Sequence, residues 1–412
     1  MTASQKRTLG ILLSFALLGA IFYLRATKNL GTQDYHNSNF FTFWVSGRLI
    51  ATGGNPYDEV QYQAAYQNYD STWMPNKIFH YPLPLALFMV PFGLFSLENA
   101  YVLWQIISQF IIAITVYIFL GHWKNAIQQR LLIPITLFLL YFGPAYLTIQ
   151  ISSVGALTLL ILLGAILAQE KDKSLLAGVL LSLTMLKPSQ GITILFLAGI
   201  WFLAHRNWKA ITGVALGGVL ILVVGLIQDP QWISKFREVS QALVDRTQGV
   251  HSNVWAFTYM ACGGTAPCST LLGAAGSATL LGLGGFFLWK NQAQLSAWEA
   301  FNIIIPLGFV STVYLWAYDQ ILYIIPIVWV IGMLVERTKK YIHAFIFLFV
   351  LVVFSFYALV QQASTGKDLW SLGTTVIVLG MVLGLLYMNR KKPIDIAPAQ
   401  HRHYLKLNRD TD

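Results

Sequence analysis

Along this chain apolar positions come in helix-length blocks, and polar positions are confined to the connections between them. Twelve apolar runs stand out, at 8–25, 100–120, 130–148, 152–168, 174–187, 189–204, 209–227, 270–289, 299–316, 320–335, 341–360 and 370–388. The runs lack the period-two alternation of membrane barrel strands, so the pattern predicts an all-α integral membrane protein with about twelve transmembrane helices. A helix perpendicular to a bilayer needs about 20 apolar residues. Several runs are shorter, which predicts tilted or broken helices. The run from Leu83 to Phe95 is short and proline-rich, and reads as a partial or re-entrant helix.

The longest polar interruption is residues 25–82, right after the first apolar run. It holds Asp34, Asp58, Glu59 and Asp70 with Arg48, Lys77, His80 and many aromatic residues. Within it, Phe40, Phe41, Trp44, Val45 and Leu49 share one helical face, and Gly53-Gly54-Asn55-Pro56 stops the helix. This segment is expected to lie in the membrane interface, its rings in lipid and Arg48 in water. A second short helix follows Pro56, where Asp58 and Gln61 have capping-box spacing and Tyr62, Ala65, Tyr66 and Tyr69 form a stripe. The whole segment is expected to roof a membrane-embedded site.

Composition agrees with the pattern. Of 412 residues, 56% are hydrophobic and 11% charged, with mean hydropathy +0.60; a soluble domain carries about a quarter charged residues. The net charge of +10 does not point to nucleic acid, because the cations sit in short connections between apolar runs. Placing the N-terminus in the cytoplasm puts most of the 27 Lys and Arg on the inner side, and both termini come out cytoplasmic. The 26–82 and 228–269 segments then become outer loops. Residues 1–390 read as one polytopic domain and 391–412 as a cytoplasmic tail. The run from Leu9 to Leu24 has no small-residue cleavage site and reads as a retained span. The cysteines, Cys262 and Cys268, both fall in the second outer loop, where a disulfide is expected. No zinc-type cluster, Walker loop or dinucleotide fingerprint occurs in the sequence.

Candidate chemistry gathers at the outer ends of these runs. Lys187 ends one apolar run and Pro188 starts the next. It either snorkels to the interface or sets an ammonium beside a helix N-terminus, an arrangement that suits a phosphate. Asp319, in the sequence WAYDQ, either caps the following helix or works beside Tyr314, Trp316 and Tyr318, whose faces suit a sugar ring. His251 lies in the second outer loop, and Gln150 closes a tight turn where it either binds substrate or only shapes the turn. Asp58 is first a cap, and Asp229-Pro230 reads as a cap followed by proline at the first helical position.

Five stretches, FFTFWVSGRLIATGGNPYD, YPLPLALFMVPFGLF, GPAYLTIQISSVGALTLL, LAGVLLSLTMLKP and YDQILYIIPI, together resemble glycosyltransferase family 87 of the GT-C superfamily. They occur in that family's order over roughly residues 34–330. The resemblance implies a GT-C-like bundle in the plasma (inner) membrane that moves a sugar, mannose or another hexose, from a polyprenyl monophosphate to a glycan or lipid acceptor on the outer face. Similar sequences often carry an acidic residue just before the first aromatic run, where this chain has Asn39. Asp34 is then the expected base, with Asp319 the alternative. Lys187 is expected to hold the leaving phosphate, assisted by Arg48, Lys77 or His251. Gln150, Trp316, Tyr318, Asp58 and His80 are expected to meet sugar or acceptor. No cofactor is called for, metal dependence stays open, and no nucleic-acid partner is expected. A secondary transporter or flippase for lipid-linked sugars is the alternative, and it would place its ionisable groups near the bilayer midplane.

Overall fold

The structure is a computed structural model that describes residues 3–69, 76–121 and 125–391. Asp70 and residues 392–412, the greater part of the expected tail, lie outside the described residues. The described chain is helical throughout, with no strand among the described residues. Among the described residues, seven helices are long and apolar enough to cross a membrane: Gln5–Thr32, Leu97–Gly121, Trp208–Gln228, Ala266–Lys290, Ala317–Thr338, Tyr341–Thr365 and Ser371–Arg390. An eighth candidate is a bent pair, Leu131–Leu140 and Gly143–Gln150, whose axes meet at 68°. The bend falls where Gly143-Pro144 follows Phe142, because proline lacks the amide that would continue the ladder.

The other four apolar runs are helices of less than spanning length: Gly155–Glu170, Ser174–Leu186, Pro188–Ala204 and Ala297–Ser311. At 1.5 Å per residue, a helix of 16 residues such as Gly155–Glu170 covers about 24 Å, short of the roughly 30 Å hydrocarbon layer. The expected twelve helical segments are present, and seven to eight of them have the length of a span. Leu83–Phe95 forms two short helices, Leu83–Phe88 and Val90–Gly93, each opened by a proline near its start.

Two cores hold the fold. The larger runs through the bundle and is built mainly from Leu, Ile, Val and Phe of spanning and shorter helices alike. Ser174–Ser182 packs there against Trp208–Gln228 with backbones nearly touching, since a side chain at Gly178 or Gly213 would overlap the carbonyl of Ala210 or Leu175. The smaller core is aromatic, with Phe40, Phe41, Phe43, Trp44, Tyr57, Tyr62, Tyr66, Phe79, Tyr101 and Trp104 all buried.

That second core corrects one expectation. Helix Asn39–Ala51 does not lie exposed in an interface, because Phe40 through Gly47 are buried inside the protein. The indole of Trp44 donates to Phe95 O at 3.2 Å, and Arg48 Nη1 donates to Gly93 O at 2.9 Å. Any side chain at Gly47 or Gly93 would strike the backbone of the other segment. The partners for the apolar face are therefore the protein's own 79–104 segment and the nearby tyrosines, with the ring of Tyr66 4.9 Å from that of Phe41 and the ring of Tyr69 4.8 Å from that of Trp44. A periodicity argument cannot distinguish such a partner from lipid. The second short helix, Glu59–Gln67, is capped as expected by Asp58, which accepts from Gln61 N at 3.0 Å. The capping box is only half made, since Gln61 Oε1 accepts instead from Asn55 N at 2.9 Å.

Candidate active site

Pro188 disfavours helical backbone at the residue before it, and Lys187 is accordingly non-helical, at φ −131° and ψ 82°. The break ends a 3-10 turn, Leu183–Leu186, and starts helix Pro188–Ala204 with Lys187 at its head. The side chain turns inward. Lys187 is 3% exposed, and its Nζ lies 2.5 Å from Asp319 Oδ1, 3.4 Å from Ser153 Oγ and 4.9 Å from the centre of the Tyr318 ring. The snorkelling alternative does not describe this residue.

Asp319 is 0% exposed and sits in the 3-10 stretch Ala317–Tyr323. Its Oδ2 accepts from Trp316 N at 3.0 Å, and Gln190 Nε2 donates to both its Oδ1 and its carbonyl at 3.2 Å. The same turn is pinned to a neighbouring helix, since Thr148 Oγ1 donates to Tyr318 O at 2.7 Å. Asp319 thus does not cap the following helix, Ile324–Thr338, which was one sequence alternative; it reaches back to the amide that opens its own turn and compensates a buried ammonium. A charge pair withdrawn from water stands only when its remaining lone pairs and protons are satisfied. The Trp316 and Gln190 donors do that for the carboxylate, and Ser153 takes a second ammonium proton.

Around the pair lie rings and neutral polar groups. The His251 ring sits 4.5 Å from Tyr314 and 5.0 Å from Trp316, and Trp316 Nε1 donates to Tyr314 Oη at 2.7 Å. His251 is buried and bonds Thr247 Oγ1 through Nε2 at 2.9 Å. Burial lowers its pKa to about 4, against a smaller opposing pull from the Leu315 carbonyl. For His80, burial first and then the charges of Arg246 and Lys187 lower the pKa to about 3. Both imidazoles are therefore neutral at neutral pH and can offer hydrogen bonds but not charge. Burial, and to a lesser degree Tyr314 and Asp319, raise the phenol of Tyr81 well above its ordinary value. Arg246 donates from Nη2 to Asn76 Oδ1.

Among the described residues, His80 Nδ1, Gln150 Oε1, Gln190 Oε1 and Gln320 Oε1 are buried without a hydrogen-bond partner. Gln150 leads into a turn where Ser152 takes the left-handed conformation, at φ 51°. That turn is held from below by Gln105, whose Nε2 donates to Ile149 O and Ser152 Oγ, both at 3.1 Å.

The fold thus brings together Lys187, Asp319, Trp316, Tyr318 and His251, with His80 close enough to feel the Lys187 charge. It gives the other expected residues local partners. Lys77 is 78% exposed and pairs with Glu59 at 3.4 Å. Arg48 is spent on Gly93 O, Asp58 on its cap, and exposed Asp34 accepts from Asn37 Nδ2 at 2.5 Å. Asp229, read as a cap, accepts from Gln231 N at 2.8 Å and also joins the loops, meeting Lys235 Nζ and Asn55 Nδ2 at 2.8 Å each. Sequence reasoning missed Gln190, Ser153 and Arg246. Gln190 was findable, being one helical turn beyond Lys187. Among the described residues no group of three or more His, Cys, Asp or Glu is placed to share a metal ion.

Comparison with known proteins adds the family. No curated protein and no solved structure matches the chain. The sequence profile of glycosyltransferase family 87 matches residues 79–310, more than half of the chain. The match takes in His80, Gln150, Lys187 and His251. It begins after Asp34, Arg48, Asp58 and Lys77 and ends before Trp316, Tyr318 and Asp319, and so is narrower than the 34–330 span of the resemblance. A helical membrane bundle, a buried ion pair lined with aromatic rings, and this match lead to one assignment: the chain belongs to glycosyltransferase family 87.

Proposed function

We propose that this membrane glycosyltransferase takes a hexose, mannose first among candidates, from a polyprenyl phosphate and adds it to a glycan or lipid acceptor on the outer face of the membrane, with inversion. The observation that carries the reading is Lys187, a buried ammonium at the head of a helix. An ammonium has three N–H donors. Asp319 and Ser153 take two of them, and the third, with the helix N-terminus, suits a phosphate oxygen. A donor already activated as a lipid phosphate also needs no nucleotide-binding motif.

In the reaction, the acceptor hydroxyl attacks the anomeric carbon, the bond from that carbon to the phosphate oxygen breaks, and a carboxylate takes the hydroxyl proton. Asp319 already accepts from Lys187, Trp316 and Gln190, which leaves it fewer free lone pairs for an acceptor hydroxyl. Asp34 is exposed, and Asn37 is the donor seen on its carboxylate, so it retains lone pairs for an acceptor. We assign the base to Asp34 and the positioning of Lys187 to Asp319. The Asp34→Asn variant should lose transfer by at least about a hundredfold while donor binding survives. Normal transfer by Asp34→Asn, with none by Asp319→Asn, would reverse the two roles.

The proposed topology has twelve crossings, both termini cytoplasmic, and the 26–82 and 228–269 loops outside. The Cys262–Cys268 disulfide supports this placement, since such bonds persist in oxidising compartments. A cysteine placed at exposed Gln67 should react with an impermeant reagent in intact cells; labelling only after lysis would invert the topology. The test of function is incubation of purified protein with a panel of polyprenyl-phosphate sugars, with and without chelator, reading released polyprenyl phosphate. Movement of the lipid-linked sugar across vesicles without release would favour the transporter reading.

A further inference from the structure

Ala317–Tyr323 is a run of seven residues in 3-10 geometry, and such runs rarely exceed three or four residues unless neighbours hold them. One side of the run is held through Asp319 by Lys187, Gln190 and Trp316. The other side meets the turn between helices Tyr341–Thr365 and Ser371–Lys391, where Asp368 lies. Asp368 is 0% exposed. Its Oδ1 accepts from Ser371 Oγ at 2.5 Å, and the Ala317 backbone amide also favours its ionised form. Its own N–H donates to Val250 O at 2.6 Å, next to His251. Gln320 Nε2 then ties Ser252 Oγ at 3.3 Å to Ser371 O at 3.0 Å, and Tyr323 Oη bonds Thr375 Oγ1 at 2.6 Å. Three segments far apart in sequence therefore meet around Asp368: its backbone amide holds Val250, and its carboxyl holds Ser371, whose carbonyl takes Gln320 of the Asp319 turn, while Oδ2 meets no hydrogen-bond partner among the described residues.

We propose that Asp368 is a positioning residue, fastening the Asp319 turn to the His251 loop and the last helix and so holding the Lys187–Asp319 pair in register. Burial, helped slightly by Asp319, raises its pKa to about 7, while Ser371 and Ala317 oppose the shift. A group so placed acts through its hydrogen bonds more than through a full charge, so asparagine should serve nearly as well. The consequence for Lys187 follows from the geometry alone; the consequence for transfer rests on the function proposed above.

The test uses the purified full chain in detergent, with acetylation of lysines by acetic anhydride followed residue by residue in the mass spectrometer. Lys187 should be strongly protected relative to exposed Lys77. Asp368→Ala should raise the Lys187 rate about tenfold, the scale of one lost buried hydrogen bond, with Lys77 unchanged. Asp368→Asn should stay within about twofold of the parent. Where transfer is measurable, donor KM should follow the same order, raised in Asp368→Ala and restored in Asp368→Asn. If Asp368→Ala does not fold, Ser371→Ala, which removes one bond only, should raise the Lys187 rate about threefold. A folded Asp368→Ala protein with Lys187 as protected as in the parent overturns the proposal, as does unchanged protection in Ser371→Ala. A parent protein that transfers no sugar defeats the proposed function, and the labelling still decides the role of Asp368.

Discussion

The aromatic region around helix Asn39–Ala51 and the polar cluster around Lys187 are built in opposite ways. In the first, rings supply the packing, and the charged and capping groups are spent locally, Arg48 on a carbonyl, Asp58 on a cap and Lys77 on Glu59. In the second, a charge pair is buried, and amide oxygens of Gln150, Gln190 and Gln320 meet no hydrogen-bond partner among the described residues. Buried polar groups left unpaired are costly, so a protein tolerates several together where a ligand or water completes them. Wealth in polar residues marked the first region in the sequence. Unsatisfied groups occur in both regions, Tyr101 Oη and Trp104 Nε1 in the first, but in the second they accompany a buried charge pair, and that combination is the better guide to a site.

The largest effect should come from splitting the charge pair. Lys187→Met or Asp319→Leu alone leaves one buried charge without its counter-ion, which costs about 3–5 kcal/mol. The double variant Lys187→Met/Asp319→Leu should recover most of that stability, because an apolar pair of similar size needs no compensation. Thermal unfolding in detergent measures it. A double variant as unstable as the worse single variant would show that the two charges are not each other's main support.

Acid should act on the polar cluster next. His251 has its pKa lowered to about 4 in the fold, against its ordinary value of 6.5. Between those values the unfolded chain binds the extra proton, so stability is full above pH 6.5 and falls as pH drops toward 4. The loss reaches on the order of 3 kcal/mol, and His251→Gln should flatten that part of the profile. An unchanged slope in His251→Gln would place the acid sensitivity elsewhere, with His80 the next group to replace.

Much of this was legible beforehand, for reasons that name the exceptions. Apolar block lengths place the helices, and proline after Lys187 places the break, because both depend on local chemistry. Spacing does not say what covers an apolar face, so helix Asn39–Ala51 looked interfacial until residues 79–104 were seen to cover it. The Lys187 and Asp319 motifs were each visible, but their contact spans 132 positions and left no local trace. Asp368 lies in a turn with no motif, and only burial and its partners single it out.

The aromatic region should respond to shape where the cluster responds to charge. Gly47→Val or Gly93→Val forces a side chain into the facing backbone, at a cost of about 1–3 kcal/mol. The loss should be independent of pH from 7 to 4, unlike that of the cluster. A pH-dependent loss in either variant would mean that the two regions are coupled.

The smallest effect tests whether the aromatic region holds its hydroxyls as firmly as its rings. Thr42 Oγ1 and Tyr66 Oη lie 2.7 Å apart, and Tyr66 Oη lies 3.2 Å from Tyr62 Oη, all inside the aromatic core. Burial lifts the phenol of Tyr66 to about 12, with Thr42 and Tyr62 pulling the other way. Thr42→Val removes one member and leaves Tyr66 a second partner, so no buried hydroxyl is orphaned and the cost should be about 1 kcal/mol. Tyr66→Phe strips Thr42 and Tyr62 of their shared partner and should cost about 2 kcal/mol, because two groups then lose a bond. Thermal unfolding of the two single variants and the double variant measures the coupling between them. The double variant should cost less than the sum of the singles, since the Thr42–Tyr66 bond is counted in both. Strict additivity would mean that the bond carries no stability and that the rings alone hold this region together.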